Sequence, residues 1–198
     1  MDDCCEVRPI AEGQRRILHV VLWINAVMFV VEFLAGVAGH STALLSDSAD
    51  MLGDALVYGV SLYAIARGPV WQTRAALLKG AIMAAFAAGI VVEVLVKLAR
   101  GVTPSADVMS GIGLLALAAN AVVLAFLWRR RADDLNMRSV WLCSRNDVIA
   151  NVAVLLAAAG VGLTDSAWPD IIVGLAIAGL FAISAVDVIR SAVQPLRA

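Results

Sequence analysis

Long apolar stretches alternate with short polar breaks along the whole chain. Each stretch is close to the length of about 20 residues that a helix needs to cross the hydrocarbon core of a bilayer. The breaks carry the glycine, proline and charged residues that end helices. The pattern therefore predicts an all-α membrane protein with six transmembrane helices, at roughly 17–38, 43–66, 76–99, 106–128, 139–163 and 169–190.

Composition supports a bilayer as the solvent. Hydrophobic residues make up 62% of the 198 positions and charged residues only 16%, whereas soluble domains are nearer half apolar and a quarter charged. A soluble fold of this length cannot bury so much apolar surface. The net charge of -1 offers no basic surplus for nucleic acid. We expect a cytosolic tail at 1–16, a six-helix transmembrane domain at 17–193 and a short cytosolic tail at 194–198, with no folded C-terminal domain.

Basic residues predict the orientation of the bundle. If the N-terminus is cytoplasmic, most lysines and arginines, including Lys79, fall at cytoplasmic ends. Lys97 and Arg100 fall on the other side, and Arg145 falls within the fifth stretch. This asymmetry follows the positive-inside rule, so both termini are predicted to be cytoplasmic. We expect a multi-pass protein of a bacterial inner membrane.

Three aspartates interrupt the second stretch. Asp47, Asp50 and Asp54 follow the spacing i, i+3, i+7, which places them on one face of a helix. Ionisable residues inside a span are costly and indicate function. A divalent cation would turn the repulsion between these carboxylates into coordination, and protons can occupy the same place without it. Asp47, close to the start of the stretch, is equally consistent with a capping or surface role.

The fifth stretch carries a matching stripe. Cys143, Asp147 and Asn151 are spaced i, i+4, i+8 and again share one helix face. A thiolate, a carboxylate and an amide oxygen suit a borderline or soft divalent ion. A membrane cysteine is often only a small apolar filler, and this alternative stays open for Cys143.

The two stripes are predicted to lie at a similar depth in the membrane. The second stretch starts outside, so Asp54 lies about 16 Å deep at about 1.5 Å per residue. The fifth starts inside, so Asp147 lies about 12 Å deep from the other face. They meet near the middle of a core about 30 Å thick. We predict a metal site formed by four ligands, the number that Zn²⁺ prefers: Asp50, Asp54, Cys143 and Asp147. Asn151 and Asp47 are predicted as secondary ligands.

Other polar residues carry weaker predictions. Asn25 and Glu32 share a face of the first helix and could line the cation path, while Asn120 predicts an interhelical hydrogen bond. Arg145 either pairs with Asp147 or extends toward the cytoplasm. Small residues that include Gly80 and Gly174 recur every four positions in the third and sixth stretches and predict close packing of these two helices.

The N-terminal segment contains adjacent thiols, Cys4 and Cys5, between acidic residues. Soft ligands of this kind could capture a cytosolic cation and pass it to the membrane site. A disordered tail is equally consistent with the segment.

Two segments resemble the cation diffusion facilitator family. Residues 43–54 resemble its second helix, in which a His or Asp is followed four residues later by Asp, and Asp50 and Asp54 match. Residues 135–147 resemble the start of its fifth helix, which usually has His and, four residues later, Asp. Asp147 matches the Asp, and Cys143 stands at the His position.

The resemblance implies export of Zn²⁺-like cations in exchange for protons, by a secondary transporter that is not an enzyme and holds no tight cofactor. Family members commonly add a cytosolic metal-binding domain that helps them dimerise. We expect no such domain here, so the expectation of a homodimer comes from the resemblance alone. Cysteine in place of histidine favours Cd²⁺ beside Zn²⁺. Two other hypotheses remain, a metal-dependent intramembrane enzyme and a metal-sensing accessory protein acting through Cys4 and Cys5.

Overall fold

Six helices make up the described part of the chain. A computed structural model describes residues 12–63, 69–128 and 135–193. Within the described residues, each of the six predicted stretches coincides with a helix, and several helices extend beyond the apolar residues. The helices are α1 Glu12–Ala38, α2 Thr42–Tyr63, α3 Pro69–Arg100, α4 Ala106–Trp128, α5 Leu135–Thr164 and α6 Trp168–Val193.

Five of the helices in the described ranges, α1, α3, α4, α5 and α6, are long and apolar enough to cross a membrane. The remaining helix, α2, has 22 residues and is also long enough, at about 33 Å. Its three aspartates lower its apolar character. Because α2 packs against α1, α3, α5 and α6, these carboxylates lie among other helices instead of in lipid.

The bundle is apolar outside and partly polar inside. Large apolar side chains such as Trp23, Val122 and Leu156 are exposed, as expected of a surface that contacts acyl chains. Glu32 and Asp47, by contrast, are completely buried. Charged residues within membrane segments typically face the interior of the bundle, and this distribution follows that rule.

Helices α3 and α6 pack closely, as their small residues predict. A Cβ atom built on Gly80 would come 2.5 Å from Cγ1 of Ile189, so only glycine permits this approach. Gly174 brings α6 equally close to α2, where an added Cβ would lie 2.7 Å from the backbone carbonyl carbon of Thr42. The small-residue stripes therefore bring α6 close to both α3 and α2.

A buried ion pair joins three helices at the end of the bundle where α2 and α6 begin. Lys97 of α3 lies 2.7 Å from the Asp170 carboxylate of α6. Asp170 also accepts hydrogen bonds from the backbone amides of Thr42 and Ala43 at 2.8 and 3.0 Å. It thus caps the first turn of α2. Lys97, expected from sequence as a charge outside the membrane, is only 3% exposed.

Candidate metal centre

The four predicted ligands line one cavity. Asp50 and Asp54 contribute to its wall from α2, and Cys143 and Asp147 contribute from α5. The cavity has a volume of about 120 Å³ and is completed by residues of α3 and α6. Two stripes that are about 90 residues apart in sequence therefore border the same space.

The α2 wall combines two carboxylates with a glycine. Tyr58, one turn beyond Asp54, donates a hydrogen bond of 3.1 Å to Asp54 Oδ2 and holds this carboxylate in place. Gly53 lies between the aspartates, and a Cβ atom there would come 2.8 Å from Cε2 of Phe181. The aromatic ring can thus approach the α2 backbone and form part of the cavity wall.

The α5 wall is more deeply buried. Cys143 is 4% exposed and Asp147 is 5% exposed. The side chain of Arg145 is exposed, and its guanidinium carbon lies 5.7 Å from the centroid of the Trp141 ring. Arg145 is not among the residues that line the cavity, whereas Asp147 is.

The side chains border the cavity without forming a coordination shell. Within residues 12–63, 69–128 and 135–193, no three His, Cys, Asp or Glu side chains form a group able to hold a metal ion as they stand. The structure thus brings the four predicted residues to one space, and their role as ligands stays a prediction. A cavity of about 120 Å³ is several times the size needed for one water molecule, so the side chains have room to move toward an ion.

The two secondary ligands belong to a separate polar core between the cavity and the start of α2. Asn151 donates a hydrogen bond to Asp47 Oδ2 and accepts one of 2.8 Å from Asn120 of α4. Asp47 is fully buried, which excludes the surface role that its position near the helix start allowed. The bond from Asn120 confirms its predicted interhelical contact.

Glu32 of α1 completes this polar core. Its carboxyl group lies close enough to that of Asp47 to interact with it, and the role of Glu32 in a cation path stays a prediction. Neither Glu32 oxygen nor Asp47 Oδ1 has a hydrogen-bond partner among the described residues. The Oδ1 atom of Asn25, which is on the same face of α1 about two turns before Glu32, also lacks one. Four buried acceptors of this kind are costly to leave unsatisfied.

Sequence reasoning missed two residues of the site. Lys79 was predicted to lie at the cytoplasmic end of the bundle, but the structure places it within α3, 3% exposed and lining the cavity. Because α3 begins at Pro69 and not near residue 76, where the apolar stretch starts, Lys79 lies well inside the helix. Tyr58 was also missed, although its spacing of four residues from Asp54 could have revealed it. Cys4 and Cys5 lie outside the described residues.

Comparison with known proteins identifies the family. Residues 18–196 match the cation efflux transmembrane domain. The chain is 26% identical over 170 residues to the metal cation efflux system protein CzcD of Cupriavidus metallidurans and to the cation efflux system protein CzcD of an Alcaligenes species. Each alignment covers 80% of this chain and 54% of the relative, so the chain spans about half the length of the curated relatives it matches. Since the domain match covers nearly all 198 residues, this multi-pass membrane protein belongs to the cation efflux family, the cation diffusion facilitators.

Proposed function

We propose that this protein exports divalent cations of the Zn²⁺ and Cd²⁺ type from the cytoplasm in exchange for protons. The cation would be held between α2 and α5 by Asp50, Asp54, Cys143 and Asp147. The observation that carries the proposal is that all four side chains line one cavity. Membership of a transporter family supports transport over catalysis.

The donor set supports the choice of cargo. Three carboxylates and one thiol combine hard and soft ligands, and such a mixture favours borderline and thiophilic ions over Mg²⁺ or Ca²⁺. Loss of the dication would leave carboxylates crowded in a buried space, where protons relieve their repulsion. Protons and metal would then occupy the same cavity in turn, which is the requirement for antiport through a single site.

The direction of transport follows from the predicted orientation. With both termini in the cytoplasm, a cytoplasmic cation would enter from the side on which α2 ends and α3 begins. The polar core at Glu32 and Asp47 lies toward the opposite end of α2. We propose that it forms the next part of the path, because its unsatisfied buried oxygens suit a passing cation.

Metal uptake into proteoliposomes tests the proposal. Purified protein in vesicles under an imposed pH gradient should accumulate Zn²⁺ and Cd²⁺, and uptake of Co²⁺ and Mn²⁺ measured in parallel gives the selectivity. Asp54→Ala and Asp147→Ala should each abolish uptake while the protein still inserts. Asp187→Ala removes an exposed carboxylate of α6 and should transport normally. Undiminished transport by both cavity variants would refute the site.

A further inference from the structure

A buried lysine lines the same cavity as the predicted metal ligands. Lys79 projects from α3, is 3% exposed and borders the cavity together with Asp50, Asp54 and Asp147. Its Nζ atom has no hydrogen-bond partner among the described residues. An ammonium group would not be expected in a site for cations, because it repels the ion that the site is meant to bind.

Electrostatics explains why this ammonium is tolerated. A buried charge with no compensating charge is strongly unfavourable, and Lys79 makes no direct ion pair within the described ranges. The carboxylates of Asp50 and Asp54 are nevertheless close enough to interact electrostatically with it. The same ammonium reduces the mutual repulsion of these two acids, so each sign of charge stabilises the other when the cavity holds no metal.

We propose that Lys79 is the counter-cation of the empty metal site. Its ammonium neutralises part of the charge of Asp50 and Asp54 when no metal is bound, and it opposes the binding of an arriving dication. The inference rests on the proposed function, since it takes these aspartates as ligands of the transported cation.

The expected consequence is weaker binding combined with faster release. A dication that enters the cavity must separate the aspartates from Lys79, which lowers the affinity relative to a cavity without the lysine. For a transporter this is useful, since a site that binds too tightly cannot release its cargo. Lys79 would therefore affect affinity and turnover in opposite directions.

A purely structural role for Lys79 makes a different prediction. If the ammonium only stabilises the packing of α3 against α2, its removal should lower the thermal stability and weaken metal binding or leave it unchanged. A counter-cation, in contrast, is a competitor, and its removal should strengthen metal binding. The sign of the change in affinity separates the two roles.

Calorimetric titration of the purified protein in detergent with Cd²⁺ and Zn²⁺ tests the inference. Lys79→Met should lower the Kd by about tenfold or more, a change equivalent to about 1.4 kcal/mol, whereas Lys79→Arg should keep it near the wild-type value. Arg74→Met removes an exposed positive charge from the same helix and serves as the matched control. In vesicles, Lys79→Met should show a lower KM together with a lower kcat.

A second neutral variant of Lys79 and the Asp54→Ala variant show which outcomes would contradict the counter-cation role. If Lys79→Met does not fold, Lys79→Gln retains a polar side chain of similar length and is expected to bind more tightly in the same way. Unchanged or weaker binding by a folded neutral variant overturns the counter-cation role. The Asp54→Ala variant distinguishes failure of the counter-cation role of Lys79 from failure of the proposed function. If Asp54→Ala loses binding but the neutral lysine variants do not tighten it, only the role of Lys79 falls, whereas unaltered binding by Asp54→Ala removes the site itself.

Discussion

Asn151 of α5 donates a hydrogen bond to the carboxylate of Asp47 on α2. Farther along both helices, Asp54 and Cys143 border the same cavity. Residue numbers rise along α2 while they fall along α5, so the two helices are antiparallel across the site. The Asn151–Asp47 contact therefore fixes the register in which the four predicted ligands face one another.

Replacement of Asn151 should destabilise the bundle. Asn151→Leu leaves the Asp47 carboxylate and the Asn120 amide without their partner in a buried region, which costs about 1–3 kcal/mol for each unsatisfied group. Thermal unfolding in detergent measures the loss. Asn120→Ala removes only one of the two hydrogen bonds and should cause a smaller decrease in melting temperature. An equal decrease in both variants would contradict the bridging role of Asn151.

The ion pair between Lys97 and Asp170 should be essential to the fold at its end of the bundle. Lys97→Met leaves Asp170 buried without its cation, and removal of one member of a buried pair costs about 3–5 kcal/mol. Arg100→Met, at an exposed position three residues later on α3, should have little effect on thermal stability.

A double substitution tests the coupling within this pair. Asp170→Asn removes the charge and keeps one oxygen that can accept from one of the two α2 backbone amides. The double variant Lys97→Met/Asp170→Asn should therefore recover part of the stability that Lys97→Met loses. Losses that simply add, measured by a double-mutant cycle of thermal unfolding, would show that the pair does not interact.

Gly53 should tolerate no side chain. An alanine there would push its Cβ against the Phe181 ring, and overpacking of this kind costs about 1–3 kcal/mol. Because Phe181 lines the cavity, Gly53→Ala should also weaken Cd²⁺ binding measured by titration. Gly89→Ala is the matched control, since nothing lies within 4 Å of a Cβ at that position. Normal stability and binding in Gly53→Ala would contradict the close approach of the ring.

Cys143 should set the preference for soft ions. Cys143→His replaces a thiol with the imidazole that the family usually has at this position. Imidazole is a harder ligand than a thiolate, so it suits Zn²⁺ but favours the softer Cd²⁺ less. The ratio of Cd²⁺ to Zn²⁺ uptake in proteoliposomes should fall in Cys143→His while Zn²⁺ uptake continues. An unchanged ratio would indicate that Cys143 is only a small apolar filler.

The sequence by itself determined the class of fold and the pairing of the two motifs. Apolar stretches of bilayer length predict six helices, because a helix satisfies its backbone hydrogen bonds within its own segment, as lipid requires. The periodicity of the helix places Asp50 with Asp54 and Cys143 with Asp147, since residues four apart share a face. Opposite directions of the two helices then bring the pairs to a similar depth.

Only the tertiary structure decided which other helices surround these residues. Whether Lys79 lies at the end of α3 or inside the bundle depends on where the helix begins and on how α3 rotates against α2, and local periodicity contains neither quantity. The same holds for Asp47. Its position near the start of α2 is compatible with a surface location, but the approach of α5 and α1 buries it. Contacts between helices depend on the packing of side chains from distant parts of the chain, and hydropathy in a single segment carries no information about that packing.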